Sequence, residues 1–290
     1  MSIERLIGTG VALVTPFNKD LTIDYPALGK VLNHISDGGA EYIVILGTTG
    51  ESATISPQER FKIIDFVIAN NSKNLPLVLG YGSNNTQKLK AALKDFKDYP
   101  FDAILSVSPY YNRPSQEGIL RHYQEVADAS PFPLIIYNVP PRTGSNISAE
   151  TTILLSKHPN IIGTKEASGD LMQCSEILTN TPDDFLVISG EDSLTIPMIA
   201  LGGKGVISVI ANLQPKPFSD MVRIALAGDF KAASKIHYDL LEGYKLLSTE
   251  GNPVSLKTGM EAVGLMNRYV RSPLYEGSNM LLGAFKAYLN

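Results

Sequence analysis

The sequence predicts an α/β fold, a (β/α)8 TIM barrel with a C-terminal helical extension, on three observations. Eight short apolar, β-branched runs recur between residues 11 and 210. Segments with helical spacing lie between them, which is the alternation of a parallel sheet. The runs are continuously apolar rather than alternating, as a sheet covered on both faces requires. A doubly wound open sheet fits less well, because it more often carries five to seven strands and a glycine-rich first turn. Gly80-Tyr81-Gly82 lacks the third glycine of a dinucleotide fingerprint, and Gly202-Gly203-Lys204 lacks both the upstream glycine and the Ser/Thr of a P-loop.

In chain order the runs fall at 11–15, 42–46, 77–79, 103–107, 134–137, 161–164, 185–188 and 206–210. After the second, Ser56-Pro57-Gln58-Glu59 has the form of an N-cap, a first-turn proline and a reciprocal glutamate, followed by Phe61, Ile64 and Val67 at helical spacing. Helices are likewise expected at 116–129, 148–156 and 217–227. Residues 1–229 thus make the barrel that carries the active site, and 230–290 an extension packed on it. Its helices are expected at 231–247, 254–270 and 276–289, separated by the Gly251-Asn252-Pro253 turn and by Pro273. No flexible linker sets it apart, and it reads as cladding rather than as a source of catalytic groups.

Among 290 residues, 44% are hydrophobic and 19% charged, so the chain can bury a sizeable core. A net charge of -4 and the absence of any basic run exclude a surface built for nucleic acid or an anionic membrane. Cys174 is the only cysteine, so neither an intrachain disulfide nor a CxxC site exists. The start, Met1-Ser2-Ile3-Glu4-Arg5, has no cationic segment leading into an apolar one, and a cytoplasmic protein is expected. His34, His122, His158 and His237 share no metal-ligand spacing and read as surface or core-edge residues.

In such barrels the chemistry sits at the carboxyl ends of the strands. The sixth run ends Gly163-Thr164-Lys165-Glu166, one strand-helix unit after Tyr137, which is placed the same way. A lysine among apolar neighbours suggests imine chemistry, because an amine attacks a ketone only when unprotonated and burial lowers lysine pKa by up to about 3 to 5 units. The plainer alternative is a lysine that snorkels from a strand end and pairs with Glu166 or solvent. Gly47-Thr48-Thr49-Gly50 is either a turn or a loop whose amides and hydroxyls take a carboxylate. Arg142 is either a solvated loop residue or a planar fork for a second carboxylate.

Taken together, Gly47-Thr48-Thr49-Gly50-Glu51, Tyr110-Tyr111-Asn112-Arg113-Pro114, Tyr137-Asn138-Val139-Pro140-Pro141-Arg142-Thr143-Gly144, Gly163-Thr164-Lys165-Glu166-Ala167-Ser168-Gly169 and Gly205-Val206-Ile207-Ser208-Val209 resemble the dihydrodipicolinate synthase family across the whole chain. The resemblance implies a pyruvate-dependent lyase of diaminopimelate and lysine biosynthesis, using a covalent imine on Lys165 with no other cofactor and no metal. Tyr137 would be the general acid/base, and Thr48 and Tyr111 would complete a hydroxyl relay with it. Thr49, with the Thr48 backbone, would hold the pyruvate carboxylate, and the Ile207 carbonyl and Gly190 would line the same pocket. Arg142 would take the carboxylate of aspartate semialdehyde. The resemblance also implies a homotetramer, a dimer of dimers in which Tyr111 is shared across the tight dimer.

N-acetylneuraminate lyases and 2-keto-3-deoxy sugar-acid aldolases share the lysine and tyrosine but generally differ at the Thr-Thr pair or the Pro-Pro-Arg-Thr-Gly loop. A non-catalytic metabolite-binding barrel is the remote alternative. One departure stands out. Where lysine-inhibited members line an interface pocket with histidines and a glutamate, this chain carries Pro57, Arg60 and Lys88, so weak or absent inhibition by lysine is expected.

Overall fold

The computed structural model describes residues 3–289; Met1 and Ser2, read above with the N-terminal stretch, and Asn290 lie outside it. Eight parallel strands close a barrel in chain order: β1 (Gly8–Ala12), β2 (Tyr42–Ile45), β3 (Leu77–Gly80), β4 (Ala103–Val107), β5 (Leu134–Asn138), β6 (Ile161–Glu166), β7 (Leu186–Ser189) and β8 (Gly205–Ser208). Around it run α1 (Tyr25–Asp37), α2 (Pro57–Asn70), α3 (Thr86–Leu93), α4 (Gln116–Ala129), the single turn α5 (Pro140–Thr143), α6 (Ala149–Leu155), α7 (Leu171–Asn180), α8 (Thr195–Ala200) and α9 (Pro215–Leu226). The extension consists of α10 (Phe230–Thr249), α11 (Val254–Ala262) and α12 (Asn279–Leu289).

Successive side chains along a strand point to opposite faces, so each apolar run supplies two cores. Ala12, Val44, Val78, Leu105, Ile135, Ile188 and Ile207 fill the barrel interior, while Val11, Ile43, Ile45, Leu79, Ile104, Ile136 and Val187 pack outward under the helices. Each fully buried Val, Leu or Ile contributes about 1.5–3 kcal/mol, which is why continuous runs rather than amphipathic ones build this sheet.

Tyr42 is a bulky, fully buried interior group, and it fits because Gly10 on the adjacent strand has no Cβ: one there would lie 2.1 Å from the ring. The barrel closes where Gly8 pairs with Gly205, whose φ is +137° and whose Cβ would fall 2.0 Å from the Gly8 carbonyl oxygen. The α2 capping box forms as expected: Ser56 Oγ accepts from the Glu59 amide at 3.2 Å, and the Ser56 amide donates to Glu59 Oε2 at 2.9 Å.

Several boundaries move. The first strand lies three residues earlier than the apolar run, because its glycines are needed for close approach to Tyr42 and to β8. The eighth strand stops at Ser208, where the chain turns into a 3-10 helix at Ile210–Asn212. The helix expected at 254–270 ends at Ala262, and Gly264 follows with φ +73°. Beyond it the chain is irregular, anchored by Arg268 and Arg271. His122 also departs from expectation. It is buried on α4 and shares a 2.9 Å hydrogen bond between Nδ1 and Thr86 Oγ1.

Candidate active site

β5 and β6 run side by side in a register that pairs Tyr137 with Lys165 and Asn138 with Glu166. Lys165 is 5% exposed, and its Nζ lies 4.5 Å from the Tyr137 ring centroid. Glu166 does not pair with that amine. Its carboxylate accepts from Asn138 Nδ2 at 3.0 Å, Gln173 Nε2 at 3.1 Å and the Ser168 amide at 2.8 Å. Strand alternation sends the two neighbours to opposite sides, so Lys165 does not pair with Glu166, and at 5% exposure it does not reach out to solvent either. Burial raises the Glu166 pKa while its hydrogen bonds oppose the shift.

Gly190 follows β7, and its amide donates to the Glu166 carbonyl at 2.8 Å. A Cβ there would lie 3.1 Å from Lys165 Cε, so glycine leaves room beside the amine. Ile207 sits on β8 beside Gly10 of β1. Asp192, in the next loop, accepts from the Val209 and Ile210 amides at 3.1 and 2.8 Å and so fixes the end of β8. Burial pushes its carboxyl up to about 6.

After β2 the chain makes two consecutive turns, the Gly50 amide donating to the Gly47 carbonyl and the Glu51 amide to that of Thr48, both at 3.1 Å. Thr49 is buried and Thr48 half-buried. Asn252 Nδ2 donates to Thr49 Oγ1 at 3.0 Å, and the Asn252 carbonyl accepts from the Arg142 guanidinium at 3.1 Å. The extension is therefore more than cladding: a side chain from its first turn touches one expected substrate-binding residue while its backbone touches another. Sequence reading missed Asn252 because nothing local in Gly251-Asn252-Pro253 distinguishes it from any turn.

Arg142, on α5, is exposed. Tyr111 stands apart from the interior groups: it is 89% exposed with φ +74°, its ring outside the barrel. A single chain thus gathers Lys165, Tyr137, Thr49, Gly190 and Ile207 at one end of the barrel, sets Arg142 above them through Asn252, and leaves Tyr111 at the surface. Cys174 is buried, and its thiol is pushed up to about 12, which keeps it an inert thiol. Among the described residues no helix is long and apolar enough to cross a membrane.

A closed parallel barrel that buries one lysine amine against a tyrosine ring at the carboxyl ends of its strands has the layout of a barrel lyase. The chain belongs to the Dihydrodipicolinate synthetase family, whose pattern matches residues 5–290. It is 50% identical over 272 residues to the 4-hydroxy-tetrahydrodipicolinate synthase of Flavobacterium psychrophilum, covering 93% of each chain. It is 46% identical over 277 residues to the enzyme of that name from Cytophaga hutchinsonii, covering 95% of this chain and 93% of that one. The crystal structure of dihydrodipicolinate synthase from Aquifex aeolicus superposes with a TM-score of 0.93 at 39% identity, covering 98% of this chain and 97% of the other.

Proposed function

We propose that the chain is a 4-hydroxy-tetrahydrodipicolinate synthase, a lyase that condenses pyruvate with L-aspartate 4-semialdehyde in diaminopimelate and lysine biosynthesis. The observation that carries this reading is the Lys165 amine, buried over the Tyr137 ring while Glu166 is engaged elsewhere. Pyruvate enters with its carboxylate on Thr49 and the Thr48 backbone. The Lys165 amine adds to the ketone carbon, Tyr137 moves the protons, and water leaves as the carbon-nitrogen double bond forms.

The protonated imine draws electrons from the pyruvate methyl, which loses a proton to give an enamine. The enamine carbon attacks the aldehyde, whose far carboxylate is held by the Arg142 fork. The aldehyde oxygen takes up the proton the methyl gave up, and the semialdehyde's own amine then displaces Lys165 from the re-formed imine, closing the ring and freeing the lysine. Gly190 and Ile207 bound the space around the imine. The covalent imine is the only cofactor-like group this scheme uses, and no step calls for a metal.

Tyr111 supports the assembled form of the enzyme. A tyrosine at φ +74° is a strained backbone, held for a side chain that makes no interior contact within its own subunit. In a homotetramer built as a dimer of dimers, that ring enters the neighbouring site and completes the relay with Thr48 and Tyr137. The enzyme acts in the cytoplasm, on small-molecule substrates, with no nucleic acid or membrane partner.

The test is borohydride trapping followed by turnover. Pyruvate and borohydride should add one reduced pyruvate adduct to the wild-type protein, at the peptide containing Lys165, and none to Lys165→Ala. Offered aspartate semialdehyde, N-acetylmannosamine and glyceraldehyde separately, the enzyme should consume pyruvate with the semialdehyde. Preference for a sugar aldehyde would keep the imine and overturn the substrate; failure to trap would leave a metabolite-binding barrel.

A further inference from the structure

Directly after the Thr48-Thr49 loop, Glu51 adopts φ 53° and ψ 37°, a left-handed backbone that a non-glycine residue takes only at some cost. Its side chain is buried, and Oε1 forms an ion pair with Lys257 Nζ at 2.5 Å; the two side chains are 2% and 0% exposed. Glu51 Oε2 accepts from the Arg271 amide at 3.1 Å, and Lys257 Nζ donates to the Tyr269 carbonyl at 2.8 Å. Phe17 is clasped by both cations, Nζ of Lys257 4.0 Å and the Arg271 guanidinium carbon 4.5 Å from its ring centroid. Arg271 in turn pairs with Glu59 of the α2 cap and with the Leu21 and Thr54 carbonyls.

Lys257 and Arg271 belong to the extension, while Glu51 belongs to the loop that follows β2. Burying two opposite charges is a poor way to gain stability, since a well-packed apolar pair of the same shape is often as good or better. What a buried ion pair does supply is a single allowed geometry, because breaking it strands a charge. Here that geometry fixes the chain one residue past Gly50, and Asn252 from the same extension already holds Thr49.

We propose that the buried Glu51–Lys257 pair is a positioning device that holds the Thr48-Thr49 loop in its substrate-binding shape, so that the C-terminal extension sets the affinity for the pyruvate carboxylate. Glu51 and Lys257 are positioning residues: they act through the loop rather than on the reacting atoms. The inference rests on the reading of Thr48 and Thr49 as the pyruvate loop.

The experiment compares wild type, Glu51→Gln, Lys257→Met and the double variant, titrating pyruvate in the borohydride trap and following amide exchange of the peptide covering 46–54. Each single variant should raise the half-saturating pyruvate concentration at least tenfold, with trapping at saturation retained and the loop amides exchanging faster. The double variant, which strands no charge, should recover thermal stability but neither the low half-saturation nor the slow exchange. Recovery of all three in the double variant would reduce the pair to a structural role and overturn the proposal. Unchanged half-saturation in folded single variants would do the same. Should wild type itself fail to trap, the functional reading falls, and loop exchange still decides whether the pair orders residues 47–51. If the single variants do not fold, the double variant carries the test.

Discussion

His122 and Asp192 pull the acid stability of this protein in opposite directions. Burial on α4 lowers the His122 pKa from 6.5 to about 4, with Glu125 opposing, and its buried Nε2 finds no partner among the described residues. Between those values the unfolded chain has taken up a proton that the folded chain refuses. Stability therefore falls as pH drops from about 6.5 to 4, by roughly 3 kcal/mol when complete.

Asp192 does the reverse. Its carboxyl is raised from 3.8 to about 6, so the folded state holds a proton that the unfolded state has released. Stability rises as pH falls through that window, again by roughly 3 kcal/mol. Over most of the range the two nearly cancel, and the wild-type profile alone would show little. His122→Gln keeps a partner for Thr86 and removes the titration. Urea denaturation at pH 7.5 and 4.5 should show the variant gaining roughly 2–3 kcal/mol relative to wild type at the lower pH. An unchanged difference between the two pH values would refute the buried, neutral imidazole.

Asp192→Asn is the mirror experiment: relative to wild type it should lose roughly 2 kcal/mol on going from pH 7 to 4.5, read by the same denaturation. Arg142→Ala should raise KM for the semialdehyde by about 10- to 100-fold, the loss of a charge-assisted hydrogen bond, while pyruvate trapping on Lys165 stays at the wild-type level. Gly205→Ala should leave little soluble protein on expression, since the new methyl would sit 2.0 Å from the Gly8 carbonyl oxygen. Inhibition by L-lysine should be weak, with Arg60 held by the Tyr81 hydroxyl at 2.8 Å and Lys88 exposed on α3; a submillimolar inhibition constant would contradict this.

Local chemistry made most of the barrel readable. β4 and α4 fall where their apolar run and helical spacing place them, and the Ser56-Glu59 box starts α2 where its residues demand. β1 was misplaced because glycine disfavours strands in isolation, whereas Gly8 and Gly10 are there to admit Gly205 and the Tyr42 ring, neighbours that no local window contains. The overrun of α11 has the same origin: residues 263–270 carry helical spacing, but Lys257 and Arg271 draw the chain back to Glu51. At the candidate site, the juxtaposition of Lys165 and Tyr137 was legible because both stand near the ends of successive apolar runs, which pair as neighbouring strands. Glu51, Lys257 and Asn252 were not, because their partners lie some 200 residues away.

That separation bears on how the enzyme comes into being. A ribosome delivers Thr49 long before Asn252, 203 positions later, and before Lys257. The barrel seam at Gly8 and Gly205 is available well before the brace arrives. A nascent chain thus has Lys165, and the strands that carry it, while the Thr48-Thr49 loop still lacks its contacts to Asn252 and Lys257. A chain cut short before residue 252 would lack the Asn252 contact to Thr49, the Lys257 partner of Glu51 and the core side chains Leu256, Met260, Leu281 and Phe285, so loop and core are completed together only as synthesis nears its close.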